Sequence, residues 1–163
     1  ALPRAAVVEP VGVFDVSGEL RNIEHRMTNT EHRSGMPGGT QPRKFDLEDR
    51  LVDFSVLMLK VADALPKSYV GQHLSGQLTR SGTSPALNYG EVQSGESRRD
   101  FIHKVKICLK ELRECTVCLK IIDRSGLLKD HDLVKAGLAE CNELTAIFVA
   151  SVRTAEANQR GTR

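Results

Sequence analysis

The chain has no tryptophan, only two tyrosines and five phenylalanines among its 163 residues, and no long apolar run. Few aromatics together with plentiful Leu, Val, Ala, Lys, Arg and Glu are typical of helices more than of sandwiches or barrels. No segment reaches the roughly 18 uninterrupted apolar residues of a membrane span. The beginning of the chain also lacks the basic-then-apolar order of a secretory signal. We therefore expect an all-α, cytoplasmic protein that makes no membrane contact.

Cysteine is scarce too, and its four positions argue against a disulfide framework. Cys108, Cys115, Cys118 and Cys141 lie within helical patterns instead of loops. Cys115-x-x-Cys118 invites a metal or redox interpretation, but a closed zinc site needs four converging ligands. Three of the four occupy core steps of their heptads, where cysteine packs as a small hydrophobe. We predict reduced thiols that fill the core, no metal and no other cofactor.

Residues 1–43 differ in character from the rest of the chain. They contain four prolines and the run Gly35-Met36-Pro37-Gly38-Gly39, without sustained helical or strand periodicity. This composition predicts an N-terminal extension that is disordered or weakly ordered. One folded domain is predicted over residues 44–163.

Within that domain, apolar residues recur at alternating steps of three and four, which places them on one side of a helix. Helices are predicted over residues 46–64, 70–94, 97–124 and 130–157. Ser97 and Gly126 suit the two ends of the third helix. In the first helix Val52, Val56 and Leu59 widen the apolar face, so it needs neighbours on more than one side. The expected architecture is an antiparallel up-down-up-down four-helix bundle with short loops.

The segment Gln77 to Ser94, QLTRSGTSPALNYGEVQS, is the least ordinary helix of the four. Pro85 removes a backbone donor and clashes with the carbonyl one turn earlier, at a cost of about 3 kcal/mol in an ordinary helix interior. Turning each residue by 100° nevertheless places its apolar residues on one stripe. We predict a helix kinked at Pro85, whose small residues let a helix of the same chain or of another subunit approach closely.

A second stripe on this helix is polar, and we call it the polar seam. Its members are Gln77, Arg80, Ser84, Asn88 and Glu91, with Glu114 of the third helix as a carboxylate partner for Arg80. Arg and Asn donors could contact phosphates or base edges. Alternatively, a hydrogen-bonded polar seam fixes the register between helices or subunits. We favour the second interpretation, in which the seam specifies assembly.

The start of the third helix has an excess of positive charge. Its candidate nucleic-acid-binding residues are Arg98, Arg99, Lys104, Lys106 and Lys110. Repeated around an oligomer, such a patch could bind phosphate backbones without sequence preference. The same residues could instead keep an outer face soluble, because no aromatics are interleaved to stack on bases.

Catalytic chemistry finds little support in the sequence. The five histidines are scattered and form no pair of the kind that builds metal sites in helix bundles. No glycine-rich phosphate loop and no recognisable nucleophile motif occurs. We therefore predict no catalytic residue and no metal ligand.

Residues 45–155 resemble a family of small bacterial four-helix-bundle proteins, first named from reading frames within intervening sequences of 23S ribosomal RNA genes. The resemblance depends on Gln77-Leu78-Thr79-Arg80, Ser84, Asn88, Glu91 and Gly95, followed by Ser97-Arg98-Arg99-Asp100-Phe101-Ile102. Pro85, Val92 and Lys110 depart from the usual pattern of the family. The resemblance implies an antiparallel bundle that assembles as a homopentamer and has no established catalytic activity. Related proteins act as accessory proteins of reverse transcriptases in diversity-generating retroelements, where they bind the polymerase and nucleic acid.

These observations predict a non-enzymatic, homo-oligomeric binding or scaffold protein whose partners are itself and RNA, DNA or a nucleic-acid enzyme. The alternative is a protein-binding structural oligomer without a nucleic-acid role. Fold-level analogy alone connects the chain to the accessory role of its relatives.

Overall fold

The computed structural model describes Gly18, residues 47–92 and residues 97–160, with the backbone alone for residues 159 and 160. From residue 47 onward this described part contains four α-helices and no strand. They are α1 (Leu47–Ala64), α2 (Tyr69–Val92), α3 (Arg98–Ser125) and α4 (His131–Arg160). The all-α prediction is confirmed, and the observed bounds lie within three residues of the predicted ones. The predicted N-terminal extension lies outside the described residues, apart from Gly18.

Local signals in the sequence set the ends of α3 and the start of α4. The Ser97 hydroxyl accepts a hydrogen bond from the backbone N–H of Asp100 at 3.1 Å, which satisfies one of the free donors of the first turn. Gly126 ends α3 with φ at 66°, a left-handed conformation that favours glycine. The Asp130 carboxylate accepts from the Leu133 N–H at 3.0 Å and caps α4.

The helix α2 runs without interruption through Pro85, which is buried. It packs closely on α1 at Gly82, because a methyl group at Gly82 would lie 2.5 Å from Met58 Cβ. The small residues of α2 therefore admit a helix of the same chain, as the sequence predicted. Tertiary packing of this kind offsets the poor helix propensity of glycine and proline.

Consecutive helices are antiparallel. The Cys108 thiol donates to the Pro85 carbonyl at 3.5 Å, and the Cys115 thiol donates to the Ser81 hydroxyl at 3.2 Å. Moving forward along α3 therefore means moving backward along α2. The Lys106–Glu156 ion pair and the approach of Gly137 to Leu119 show the same reversal between α3 and α4. The bundle is thus up-down-up-down, so that α1 and α3 run parallel.

Two independent contacts fix the relative height of α1 and α3 along the bundle. The Ser55 hydroxyl lies 3.1 Å from the Gly82 carbonyl, next to Ser81, which bonds Cys115. A methyl group at Gly137 would lie 2.9 Å from Met58 Cε and 3.2 Å from Leu119 Cδ1. Residue 55 is therefore level with residue 115, and residue 58 with residue 119. Each residue of α1 stands at the height of the α3 residue about 60 positions later.

The core is apolar and continuous along the bundle. Phe54, Phe101 and Phe148 are its largest fully buried side chains and are at most 1% exposed. Tyr89 of α2 meets Phe148 of α4 edge to face, with ring centroids 5.9 Å apart and planes at 77°. All four helices therefore contribute to one core.

Candidate interaction surfaces

The polar seam lies on the outer side of α2, next to α3. Gln77, Ser84 and Asn88 are half-buried, whereas Arg80 and Glu91 are exposed. The Asn88 amide donates to the Ser84 carbonyl at 2.9 Å and lies 3.0 Å from the Ser84 hydroxyl. Ser84 and Asn88 are therefore held by bonds within α2, and the role of the seam in assembly stays a prediction.

The predicted pairing of Arg80 with Glu114 is wrong. The Arg80 guanidinium donates to the Gln77 side-chain oxygen, one turn earlier on its own helix. Arg80 and Glu114 are both exposed, and an exposed ion pair between long side chains gains too little free energy to hold them together. Across the α2–α3 boundary, Glu91 instead pairs with Lys104, which raises the Lys104 pKa through their hydrogen bond.

The five predicted basic residues occupy different environments. Arg99 and Lys110 are exposed on the outer side of α3, and Arg98 is half-buried. Lys104 is half-buried against Glu91, and Lys106 pairs with Glu156 of α4 at 2.7 Å. At least two of the five charges, those of Lys104 and Lys106, are thus partly neutralised within the chain.

The C-terminal half of α3 extends the positive surface beyond the residues that the sequence analysis selected. Exposed residues here recur at steps of three and four, and we call them the α3 stripe: Lys110, Arg113, Val117, Lys120, Ile121 and Arg124. Val117 is 56% and Ile121 48% exposed. Glu114 is the one acidic residue beside it that is exposed on α3. Continuing the helical spacing past Arg113 would have identified Lys120 and Arg124 from the sequence.

An acidic counterpart lies on α1, the helix diagonally opposite α3. The α1 stripe consists of Asp49, Val52, Asp53, Val56, Leu59 and Asp63, all exposed. Its three apolar members are 42% to 48% exposed, and Lys60 is the exposed cation beside them. The widened apolar face seen in the sequence therefore does not find its full cover within the described part of this chain.

The four cysteines are buried free thiols, which confirms that they fill the core. Burial raises the pKa of Cys108 to about 12 and that of Cys118 to about 11. The hydrogen bond with Cys141, together with burial, raises the pKa of Cys115. Thiols held in the protonated form and away from solvent are poor nucleophiles and poor metal ligands.

In residues 47–92 and 97–160, no three His, Cys, Asp or Glu side chains gather as potential metal ligands. None of the helices in the described part of the chain is both long and apolar enough to cross a membrane.

Comparison with known proteins identifies the family to which this bundle belongs. The model of the 23S rRNA-intervening sequence protein family matches residues 43–150, which include all of α1, α2 and α3. The chain belongs to this family. No curated protein matches the sequence.

A solved member of the S23 ribosomal protein family supports the fold of this 23S rRNA-intervening sequence protein. The crystal structure of that protein, from Bacteroides thetaiotaomicron and of unknown function, aligns with a TM-score of 0.61 and 25% sequence identity. The alignment covers 66% of this chain and 98% of the other. The bundle is thus shared along nearly the whole length of that relative.

Proposed function

We propose that this 23S rRNA-intervening sequence protein is a non-enzymatic, self-associating binding or scaffold protein of the bacterial cytoplasm. Its copies form a homo-oligomer, with five subunits as the number that the family resemblance favours. The oligomer contacts nucleic acid, or an enzyme that acts on nucleic acid, through the N-terminal part of α3. Four free thiols buried in the core are in keeping with a reducing compartment.

The observation that carries this proposal is the exposure of apolar side chains in rows on two helices. Val52, Val56 and Leu59 on α1, and Val117 and Ile121 on α3, are 42% to 56% exposed. Single exposed apolar residues are ordinary, but rows rimmed by charge are typical of protein contact sites. Covering such rows with another subunit gains free energy in proportion to the apolar area removed from water.

Charge distribution supports the nucleic-acid part of the proposal. Residues 98–125 contain eight Lys and Arg against four Asp and Glu, whereas the whole chain has a net charge of only +2. An oligomer repeats this excess around its symmetry axis, which raises the local potential toward phosphates. The described outer side of α3 has no exposed Phe, Tyr or Trp, so we expect mainly backbone contact.

A specific observation favours the alternative, a protein-binding oligomer without a nucleic-acid role. Lys104 and Lys106 already have carboxylate partners in Glu91 and Glu156. Phosphate binding would have to compete with both ion pairs. The alternative therefore remains the second candidate function.

The first prediction concerns mass. The monomer weighs 18.0 kDa, and we expect sedimentation equilibrium of the full chain to give a multiple of this value at micromolar concentration. High salt should leave the apolar contact in place but weaken its charged rim. A concentration-independent mass of 18.0 kDa would contradict self-association.

The second prediction concerns nucleic acid. We expect the double variant Arg99→Glu, Lys106→Glu to bind duplex RNA and DNA about tenfold or more weakly, with a salt dependence reduced by about two counterions. The measurement is fluorescence anisotropy at several salt concentrations. The matched control is Lys129→Glu, Lys135→Glu, which changes the charge equally at exposed positions outside α3 and far in sequence from Arg99 and Lys106.

Two outcomes would decide against the proposed contact. If the original chain shows no binding in low salt of about 50 mM, with self-association intact, the protein-binding alternative is selected. If both double variants bind as the original does, nucleic acid is bound without Arg99 and Lys106, and the contact through the N-terminal part of α3 is overturned.

A further inference from the structure

The two stripes have opposite charge and similar apolar centres. Residues 47–64 contain four Asp and Glu against two Lys and Arg, so α1 has two negative charges in excess. Residues 98–125 have four positive charges in excess. The stripes lie on diagonally opposite helices of one bundle, so no stripe can cover the other within a single copy.

The heights of the stripes also correspond. Residue 55 is level with residue 115 and residue 58 with residue 119, so separations of 60 and 61 positions relate equal heights on the parallel helices α1 and α3. Within this range, which amounts to about 1.5 Å along the helix axis, Asp49 is level with Lys110, Val56 with Val117 and Asp63 with Arg124. These three pairs recur every seven residues, so each set stays on one side of its helix. The set spans about 21 Å at 1.5 Å per residue.

The two stripes are not complementary at every height. Asp53 is level with Arg113, whose charge attracts it, and with Glu114, whose charge repels it. Leu59 is level with Lys120 and next to the height of Ile121. The aliphatic stem of Lys120 can cover Leu59 while its ammonium stays in water.

We propose that the α1 stripe of one copy packs against the α3 stripe of the next copy, with the two bundles parallel and at the same height. This inference rests on the self-association proposed above and specifies which surfaces make it. Because complementary residues stand at equal heights, a rotation about an axis parallel to the bundle brings them together without a shift along that axis. A contact between two different surfaces of the same protein is heterologous. Repeated heterologous contacts form a closed ring when the rotation from one copy to the next divides a full turn evenly.

The contact between the two stripes does not include the start of α3. Leu47, the first described residue of α1, is level with about residue 108, so the described part of α1 does not reach the height of residues 98–107. Arg98, Arg99, Lys104 and Lys106 then lie at one end of the assembly, whereas Lys110 belongs to the subunit contact. The nucleic-acid surface and the subunit contact are therefore separate parts of the same helix.

Charge reversal on each stripe tests the pairing. We expect Asp49→Lys, Asp63→Lys to reduce the sedimentation mass from a multiple of 18.0 kDa to 18.0 kDa, and Lys110→Glu, Arg124→Glu to do the same. The fourfold variant that combines them restores opposite charges at every contact and should regain the original mass.

Mixing the two double variants should also restore association. The unchanged α3 stripe of one variant meets the unchanged α1 stripe of the other, and the two reversed stripes also have opposite charges. Lys129→Glu, Lys135→Glu is the control and should keep the original mass.

The outcomes separate this inference from the proposed function. If the original chain is a monomer, both fail. If the original chain associates and the Asp49→Lys, Asp63→Lys variant keeps its mass, self-association stands and this pairing is overturned. Loss of association in both double variants without rescue in the fourfold variant also overturns the pairing, provided that circular dichroism shows all variants folded.

Discussion

At the scale of single residues, the glycines of α2 divide into two kinds. Gly82 lies against Met58 of α1 and is buried, whereas Gly90 faces open space and is exposed. Both have ordinary helical backbone angles, since Gly126 is the one described glycine with positive φ. The difference between them is therefore packing, and the same substitution should have opposite effects at the two positions.

We expect Gly82→Ala to destabilise the protein by about 1–3 kcal/mol, because the new methyl group would lie 2.5 Å from Met58 Cβ and 2.7 Å from Met58 Cγ. Gly90→Ala should stabilise it by about 0.5–1 kcal/mol through the better helix propensity of alanine. Urea unfolding at one fixed protein concentration measures both free energies. Equal effects of the two substitutions would refute the close approach of α1 and α2 at Gly82.

At the scale of helices, the sequence predicted what local periodicity and capping determine. A helix that buries one side must repeat its apolar residues every three or four positions, so the steps along α1, α3 and α4 identified these helices. Ser97 and Gly126 could be placed because caps act within a few residues of the backbone that they satisfy. Even α2 was identifiable, since its apolar stripe persists through Pro85.

What the sequence could not provide were relations between helices at the surface. Arg80 was assigned a partner on α3, yet it bonds Gln77, because exposed side chains have many alternatives of nearly equal free energy. The equal heights of the α1 and α3 stripes could not be predicted either. They follow from side-chain contacts such as that of Met58 and Leu119 around Gly137, which depend on how three helices pack together.

At the scale of the whole molecule, the bundle must be closed by joining its first helix to its last. The helices α1 and α4 share fewer contacts than consecutive helices do. Arg50 of α1 spans this boundary: its guanidinium donates to Glu140 at 2.5 and 3.0 Å and to Glu143 at 2.5 Å. These bonds, first of all that to Glu140, raise the Arg50 pKa, so the guanidinium stays charged at every accessible pH.

The bonds from Arg50 of α1 to α4 lead to the last prediction. Removing this side chain with Arg50→Ala should lower the free energy of unfolding by about 1–2 kcal/mol, since charged hydrogen bonds are lost and the Glu140 side chain, 26% exposed, is left unpaired. The control is Lys106→Ala, which breaks an ion pair between α3 and α4 whose side chains are 54% and 38% exposed. That change should lower the free energy of unfolding by no more than about 0.5 kcal/mol.

Urea unfolding of the single variants, and of Arg50→Ala combined with Glu140→Ala, would measure the coupling between Arg50 and Glu140. If Arg50→Ala costs no more than Lys106→Ala, packing around Met58 and Gly137 must hold the first and last helices together without the ion pair.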